Sequence, residues 1–299
     1  MRADPNYISN VALSIDQSSS ATDALTTELS SGLRVTSLQD DPVAAAQSSM
    51  IGSTIAKDDT FVQTASSEAS MLQVTDSTLG EVVTQLTSAL SLAVQGNDGT
   101  LDSANMTAIV QQLSGIRDQV LSLANTSYVG SSLFAGSQGS VKPFVLDTST
   151  TPATVNYAGD TNVQYLETPA GQKIQVNLPG SSVFGTTSSG VFGALNKLID
   201  DYSSGASTAT ITTDTSTLTS SLGQVSQQRS ILDSSLSRVQ STSTYAQTDE
   251  SQLKVQQSTL VAADTATVAT QLSSHETQYQ ALLNVMSALE KTNLFDYLN

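Results

Sequence analysis

The chain has 299 residues, with no Cys, no Trp and one His, and its 11 Lys and Arg against 27 Asp and Glu give a formal net charge of −16. That balance argues against nucleic acid and anionic membrane as partners, since both call for Lys/Arg patches. Without Cys there are no disulfides or thiolate metal sites, and no run of about 18 apolar residues is present to span a bilayer.

The first residues, MRADPNYISNVALSIDQ, lack the continuous apolar core and cleavage site of a secretory signal. The expectation is a protein that is cytoplasmic, or one exported without a cleaved signal. Ile8, Val11, Ile15, Ser18, Thr22, Leu25 and Leu29 then step by three and four, a heptad stripe with a polar middle.

The stretch SSGLRVTSLQDDPVAAA, residues 30–46, interrupts this helical pattern. Gly32 suits the left-handed conformation that closes a helix. Leu33, Val35 and Leu38 alternate with polar residues, as in an extended segment. Asp41 is a good N-cap, and Pro42 fits the first helical turn because its missing N–H has no intrahelical partner there. Asp40 and Asp41 also set negative charge at the positive end of the next helix. Arg34 is the cation near enough to bridge back to them. Residues 33–42 thus read as a joint between two helices.

After the joint the spacing predicts a helix over 43–96, roughly 80 Å long at about 1.5 Å per residue. Its stripe runs Ile51, Ile55, Val62, Ala65, Ala69, Leu72, Leu79, Val83, Leu86, Leu90 and Ala93, broken at Asp58 and Asp76. GNDGT at 96–100 is a turn, and Met106, Ile109, Leu113, Ile116, Val120 and Leu123 form a third stripe. From about 135 to 190, Gly and Pro rise and short alternating runs (FVLD, ATVNYAG, VQYLET, KIQVNL) predict strands between turns. VFGALNKLIDDY at 191–202 predicts a short helix, and SSGASTAT at 203–210 a hinge-like linker. Helix returns with Leu218, Leu222, Val225, Leu232, Leu236 and Val239, with Arg229 inside the stripe. The phase slips near 261–268, and a last stripe runs Val268, Leu272, His275, Tyr279, Leu282, Met286 and Leu289. Helices therefore occupy both ends of the chain around a β-rich middle. Each stripe must find a partner distant in sequence to be buried.

Several segments together resemble the flagellin superfamily. LSSGLRVTSLQDDPVAAA (29–46) resembles its N-terminal signature, and the Pro after the paired Asp is the form found in its hook–filament junction branch. LFAGSQGSVKPF (133–144), the stretch from VNYAGD to SVFG (155–185), AADTATVATQLSSHETQYQALL (262–283) and the terminal LFDYLN resemble further segments of that branch. Thr36 and Ser37 depart from the usual residues, and the segment 203–220 is unusually rich in Ser and Thr.

The resemblance implies a mainly α fold: a long-helix coiled-coil bundle built from N- and C-terminal segments, with a small β-rich insert domain. Residues 1–32 plus 260–299 would form an inner coiled-coil layer, 33–42 the joint, 43–134 plus 203–259 a central helical bundle, and 135–202 an outward insert. The joint comprises Gly32, Arg34, Asp40, Asp41 and Pro42. The assembly stripe comprises Ile8, Val11, Ile15, Leu25 and Leu29 on one side and Val268, Leu272, Tyr279, Leu282, Met286, Leu289, Phe295 and Tyr297 on the other. The implied role is structural, adapting hook to filament in the bacterial flagellum. The implied partners are copies of the chain in a ring, a hook-side junction protein, flagellin on the filament side, and an export chaperone in the cytoplasm. Export would run through the flagellar secretion channel to an extracellular location.

Residues that suggest chemistry have plainer explanations. His275 lies between Leu272 and Tyr279 with only Glu276 beside it, and reads as a packing or interface residue. Asp40 and Asp41 are explained by capping rather than acid–base work. Asp58 and Asp76 mark either wet or polar-paired positions in a bundle or buried polar residues that fix register. NDGTLD at 97–102 lacks calcium-loop spacing, and GSQG at 136–139 lacks the Lys-Ser/Thr of a phosphate loop. No catalytic, metal or cofactor site is expected. The alternatives to a junction protein are the filament subunit itself, a secreted helical adhesin, or an enzyme housed in the insert.

Overall fold

The computed structural model describes residues 5–97 and 102–296, with side chains over 8–97 and 102–288. In chain order the elements are α1 (Pro5–Ser31), α2 (Pro42–Gly96), α3 (Ser103–Ala124), β1 (Ser127–Tyr128), β2 (Ser131–Ser132), β3 (Phe144–Asp147), β4 (Thr154–Tyr157), β5 (Tyr165–Glu167), β6 (Lys173–Gln175), α4 (Gly180–Phe184), α5 (Gly190–Ser204), α6 (Thr208–Val261) and α7 (Thr265–Asp296). They divide into two compact units, one built from the chain up to Ala56 and from Asp249 on, the other from Lys57–Thr248.

In the second unit α2 and α6 run antiparallel. Arg229 meets Asp76, and the Asn97 side chain donates to the Thr212 hydroxyl at 3.0 Å. The buried positions of α6 are Ile211, Asp214, Leu218, Ser221, Val225, Leu232, Ser235, Val239 and Ala246, a run of three- and four-residue steps with two double gaps. On α2 the buried face is Phe61, Ala65, Leu72, Leu79, Val82, Leu86, Ala89 and Ala93. Val62, Ala69, Val83 and Leu90, which belong to the expected stripe, lie at its edge and are half-buried. Ile109, Leu113, Ile116 and Val120 of α3 complete the helical part of this core.

Three two-stranded antiparallel ladders, β1–β2, β3–β4 and β5–β6, replace a continuous sheet. Each of the two longer ladders turns apolar residues inward: Phe144 and Val155 in one, Leu166 and Ile174 in the other. Phe134, Phe144, Phe184 and Phe192 pack in tilted, edge-on and stacked ring contacts with centroids 5.1–5.8 Å apart. These rings belong to the same apolar cluster as the α2, α3 and α6 residues, so the strand-bearing segment shares its core with the helices.

The expected linker at 203–210 is mostly helix. Gly205, left-handed at φ +71°, closes α5, and α6 already begins at Thr208. The Ser/Thr content that suggests a hinge is accommodated because the hydroxyls bond back to the helix. Thr212, Thr213, Thr215, Ser216, Thr217, Thr219, Ser220 and Ser221 each donate to the carbonyl four residues earlier. Ile211 and Leu218 supply the burial that decides in favour of helix.

In the first unit α1 packs along α7. The start of α2 and the end of α6 are tied where the Gln257 amide donates to the Ser48 carbonyl at 3.0 Å. No described helix is long and apolar enough to cross a membrane.

Candidate functional site

The joint is built from two chain breaks, not one. Gly32, at φ +69°, caps α1 and donates to the Glu28 carbonyl at 2.9 Å. The phase slip near 261–268 is a second break, Ala262–Asp264, between α6 and α7. The two breaks pair through an antiparallel bridge between Leu33 and Ala262. Arg34 N–H donates to the Val261 carbonyl at 2.7 Å, and Ala263 N–H donates to the Gly32 carbonyl at 2.9 Å. Backbone groups that a helix end leaves without partners are thereby satisfied from the other break.

Side chains lock the same knot. The Arg34 guanidinium donates to Asp41 Oδ2 at 3.3 Å and to the Leu260 carbonyl at 3.1 Å. It therefore joins the start of α2 to the end of α6. Because Arg34 is half-exposed, its value here is geometric more than energetic. Asp41 caps α2, accepting from Val43 N–H at 3.2 Å and Ala44 N–H at 3.0 Å. The Ala44 amide and the Arg34 guanidinium hold its carboxyl below the usual range. Pro42 opens the helix as expected.

Asp40 differs from the expectation of a second charge serving the helix end. Its Oδ2 accepts from Thr36 N–H at 2.9 Å, Ser37 N–H at 2.8 Å and the Thr36 hydroxyl at 3.0 Å, so it shapes the loop before the helix. Those bonds, the Thr36 amide first, lower its pKa. The two residues that depart from the usual signature, Thr36 and Ser37, are thus the partners of Asp40. Arg34 bonds Asp41 rather than both carboxylates. Of the three apolar residues expected in the extended stretch, only Val35 is buried; Leu33 and Leu38 are exposed.

The second break has its own cap, which the sequence reading passes over. Asp264 accepts from Ala266 and Thr267 N–H at 3.1 and 3.3 Å and from the Thr267 hydroxyl at 2.8 Å. These bonds, the Thr267 hydroxyl first, lower its pKa. The legible signal was Asp264 directly ahead of the last stripe, with Thr three residues on.

Beyond the knot lies the stripe. The Leu33–Ala262 bridge makes α1 and α7 antiparallel. Val11 and Val268 are buried, while Ile15, Leu25, Leu272, Tyr279, Leu282 and Met286 are half-buried. Ile8 and Leu29 remain more than a third exposed. The side chains of Leu289 and Phe295, and Tyr297 altogether, lie outside the described residues. Ser18 Oγ and His275 Nδ1 are buried without a hydrogen-bond partner among the described residues. No group of three or more His, Asp or Glu able to hold a metal ion occurs among the described residues.

The motif segments at 133–144 and 155–185 meet at a third place, within the other unit. Tyr157 hydroxyl lies 2.6 Å from the Asp160 carbonyl and 3.0 Å from that of Phe134. Asp160 accepts from Ser137 N–H at 2.8 Å, from the Ser137 hydroxyl, and from Asn162 N–H at 3.0 Å. Those bonds hold its pKa down at about 2, the Ser137 hydroxyl contributing most. Gly159 lies so close to the Tyr157 ring and the Ala135 carbonyl that a Cβ there would overlap both.

The bacterial flagellin N-terminal helical region matches residues 6–139, and the bacterial flagellin C-terminal helical region matches 215–298. Flagellar hook-associated protein 3 of Salmonella typhimurium is 27% identical over 163 residues, 54% of this chain and 50% of that protein. The protein of the same name from Escherichia coli is 30% identical over 118 residues, 39% of this chain and 37% of that protein. The matches thus span half or less of those curated relatives. In fold, the chain is similar to a putative flagellar hook-associated protein from Vibrio parahaemolyticus (TM-score 0.65, 16% identity, 74% of this chain and 99% of that one). It is also similar to the flagellar junction protein FlgL from Legionella pneumophila (TM-score 0.59, 16% identity, 73% and 100%). With two flagellin regions matched over more than half of its residues, one towards each end of the chain, the chain belongs to the bacterial flagellin family.

Proposed function

We propose that this chain is a structural, non-enzymatic component of the bacterial flagellum that joins the hook to the filament. The observation that carries the reading is the pairing of α1 with α7, which buries few of its own stripe residues. Leu13, Leu283 and Val285 stay exposed on the same pair, at 58%, 43% and 41%. Apolar area left on paired terminal helices is area for neighbouring copies. The names of the Salmonella and Escherichia relatives favour the junction over the filament.

On this reading residues 1–32 and 260–299 form an inner layer of a tube, 33–42 serves as the joint to a second layer, and the insert 135–202 faces outward. Copies assemble in a ring between a hook-side junction protein and flagellin. Before that, a cytoplasmic chaperone holds the chain for export through the flagellar channel. The net charge of −16 suits neither nucleic acid nor an anionic membrane as a further partner.

Deletion of the gene, followed by electron microscopy of the cells, tests the role. The expected picture is hooks without filaments and flagellin released to the medium. Normal filaments on the deletion strain would refute it.

A further inference from the structure

Where the chain leaves α5 and enters α6, Asp201 and Asp214 come to the same place: Lys197, one turn before Asp201 on the same face of α5, reaches Asp214 at the start of α6. Asp201 lies in the last turn of α5, and its carbonyl accepts the Gly205 and Ala206 N–H groups that cap the helix. That end of a helix disfavours negative charge, and Asp200 beside it adds more. Asp201 Oδ2 is buried and has no hydrogen-bond donor among the described residues. Asp214, only 9% exposed, sits in the second turn of α6, with Lys197 Nζ 3.9 Å from its Oδ1. Three residues, Gly205–Ser207, connect the helices.

An ionised Asp201 would keep a buried oxygen with no donor, at the wrong end of a helix, facing a second carboxylate. A protonated Asp201 removes all three costs and becomes a donor itself. We propose that Asp201 and Asp214 share a single proton, held on Asp201 and donated to the Asp214 carboxylate, and that this bond fastens the end of α5 to the start of α6 in mildly acidic surroundings and releases it near neutrality. On release the proton passes to water and leaves two like charges across the connector.

The surroundings agree. Burial first, then the hydrogen bond and charge of Asp214 and the charge of Asp200, push the Asp201 carboxyl up to about 6, against the pull of Lys197. The other elements packed here bring little charge among the described residues. The end of α2, reached where the Tyr202 hydroxyl donates to the Ala93 carbonyl at 2.5 Å, has none from 82 to 97. Of the elements against α5, β4 and α4 carry none. α3 brings Asp102 at its N-cap and Arg117, which is engaged with Asp118 and the Ala153 carbonyl. Within α6 the first charged residue is Asp214 itself.

The sign follows from the raised pKa. The folded chain binds more protons than the unfolded one between the ordinary value of 3.8 and about 6. The contribution to stability is complete below that window and lost as pH rises through it.

Thermal melting of the full chain and of Asp201→Asn, at a series of pH values from about 4.5 to about 7.5, tests this. The amide keeps a donor and cannot titrate, while every other carboxylate titrates in both proteins. The variant should gain on the wild type as pH rises, by roughly 2–4 °C across the range. A difference in Tm that does not change with pH overturns the proposal. A second measurement needs no variant: carboxyl 13C NMR of the Asp-labelled wild type should show one Asp titrating well above the rest, with its midpoint near 6. If every Asp carboxyl titrates below about 5, within the ordinary scatter of such groups, the shared proton does not exist.

Discussion

Arg229 Nε lies 2.5 Å from Asp76 Oδ1, and its Nη2 lies 3.0 Å from Oδ2, so the polar interruptions of two facing apolar stripes meet. Gly80, one turn along α2, lies beside the guanidinium, where a Cβ would make ordinary contact at 3.7 Å. Asp76 holds the Arg229 pKa above its ordinary value. The pair is partly exposed, with side chains 39% and 24% accessible, so its worth is near the upper end for surface pairs, about 1 kcal/mol. A double-mutant cycle of Asp76→Ala and Arg229→Ala by urea unfolding should return a coupling of that size. Replacing both by Leu should be close to neutral, because it leaves no charge unpaired. A zero coupling would mean the pair only fills a gap in the stripe.

The joint gives a prediction about backbone alone. A Cβ at Gly32 would meet nothing within 4 Å, so space does not forbid a side chain. The φ of +69° does, and most strongly for a β-branched residue. Gly32→Val should cost about 1–2 kcal/mol at this turn, whereas Gly32→Asn should cost far less. Swimming of a deletion strain carrying each variant is the readout: Asn should restore it and Val should not. Equal restoration would show that the left-handed cap does not matter to assembly.

The helices and the joint were legible because period and capping residues are local signals. Pro42 and Asp41 announce the start of α2 without reference to anything else. What stayed hidden was long-range. Nothing local to Arg34 names the Leu260 carbonyl as its partner, and nothing in the phase slip near 261–268 says that it pairs with the first break. The hinge expected at 203–210 is mostly helix for a different reason: Ser and Thr disfavour helix on average, but the back-bonding of the hydroxyls that follow and the burial of Ile211 and Leu218 outweigh the preference. The motif around Tyr157 and Asp160 was legible as a resemblance, while its cause, a carboxylate tying two loops together, was not.

Asp160 makes part of the stability depend on acid. Its carboxyl is held at about 2 in the folded chain against an ordinary 3.8, so the unfolded chain binds the extra proton as pH falls. Its contribution is present above 3.8 and lost as pH drops towards about 2. Asp160→Asn should lower the urea midpoint at neutral pH, and the gap to the wild type should close on acidification. A gap that is constant with pH would mean the carboxylate's charge is not what holds the two loops.

Val129 is the one described non-Gly residue with positive φ, at +49°, and it is 89% exposed at the tip of the β1–β2 hairpin. With Gly130 at φ +80° this is the two-residue turn that favours Asn-Gly. Val129→Asn should stabilise the folded chain by about 1 kcal/mol by removing the strain. Calorimetry showing no gain in Tm would indicate that contacts of the Val side chain offset it.

The junction role itself is tested most directly by position. Flagella sheared from cells, with hooks attached, can be labelled with gold-conjugated antibody raised against this chain and viewed by electron microscopy. A junction protein predicts one narrow band of gold between hook and filament and none elsewhere. Gold along the whole filament would contradict the account and make the chain a filament subunit, and gold absent from the structure would remove it from the flagellum altogether.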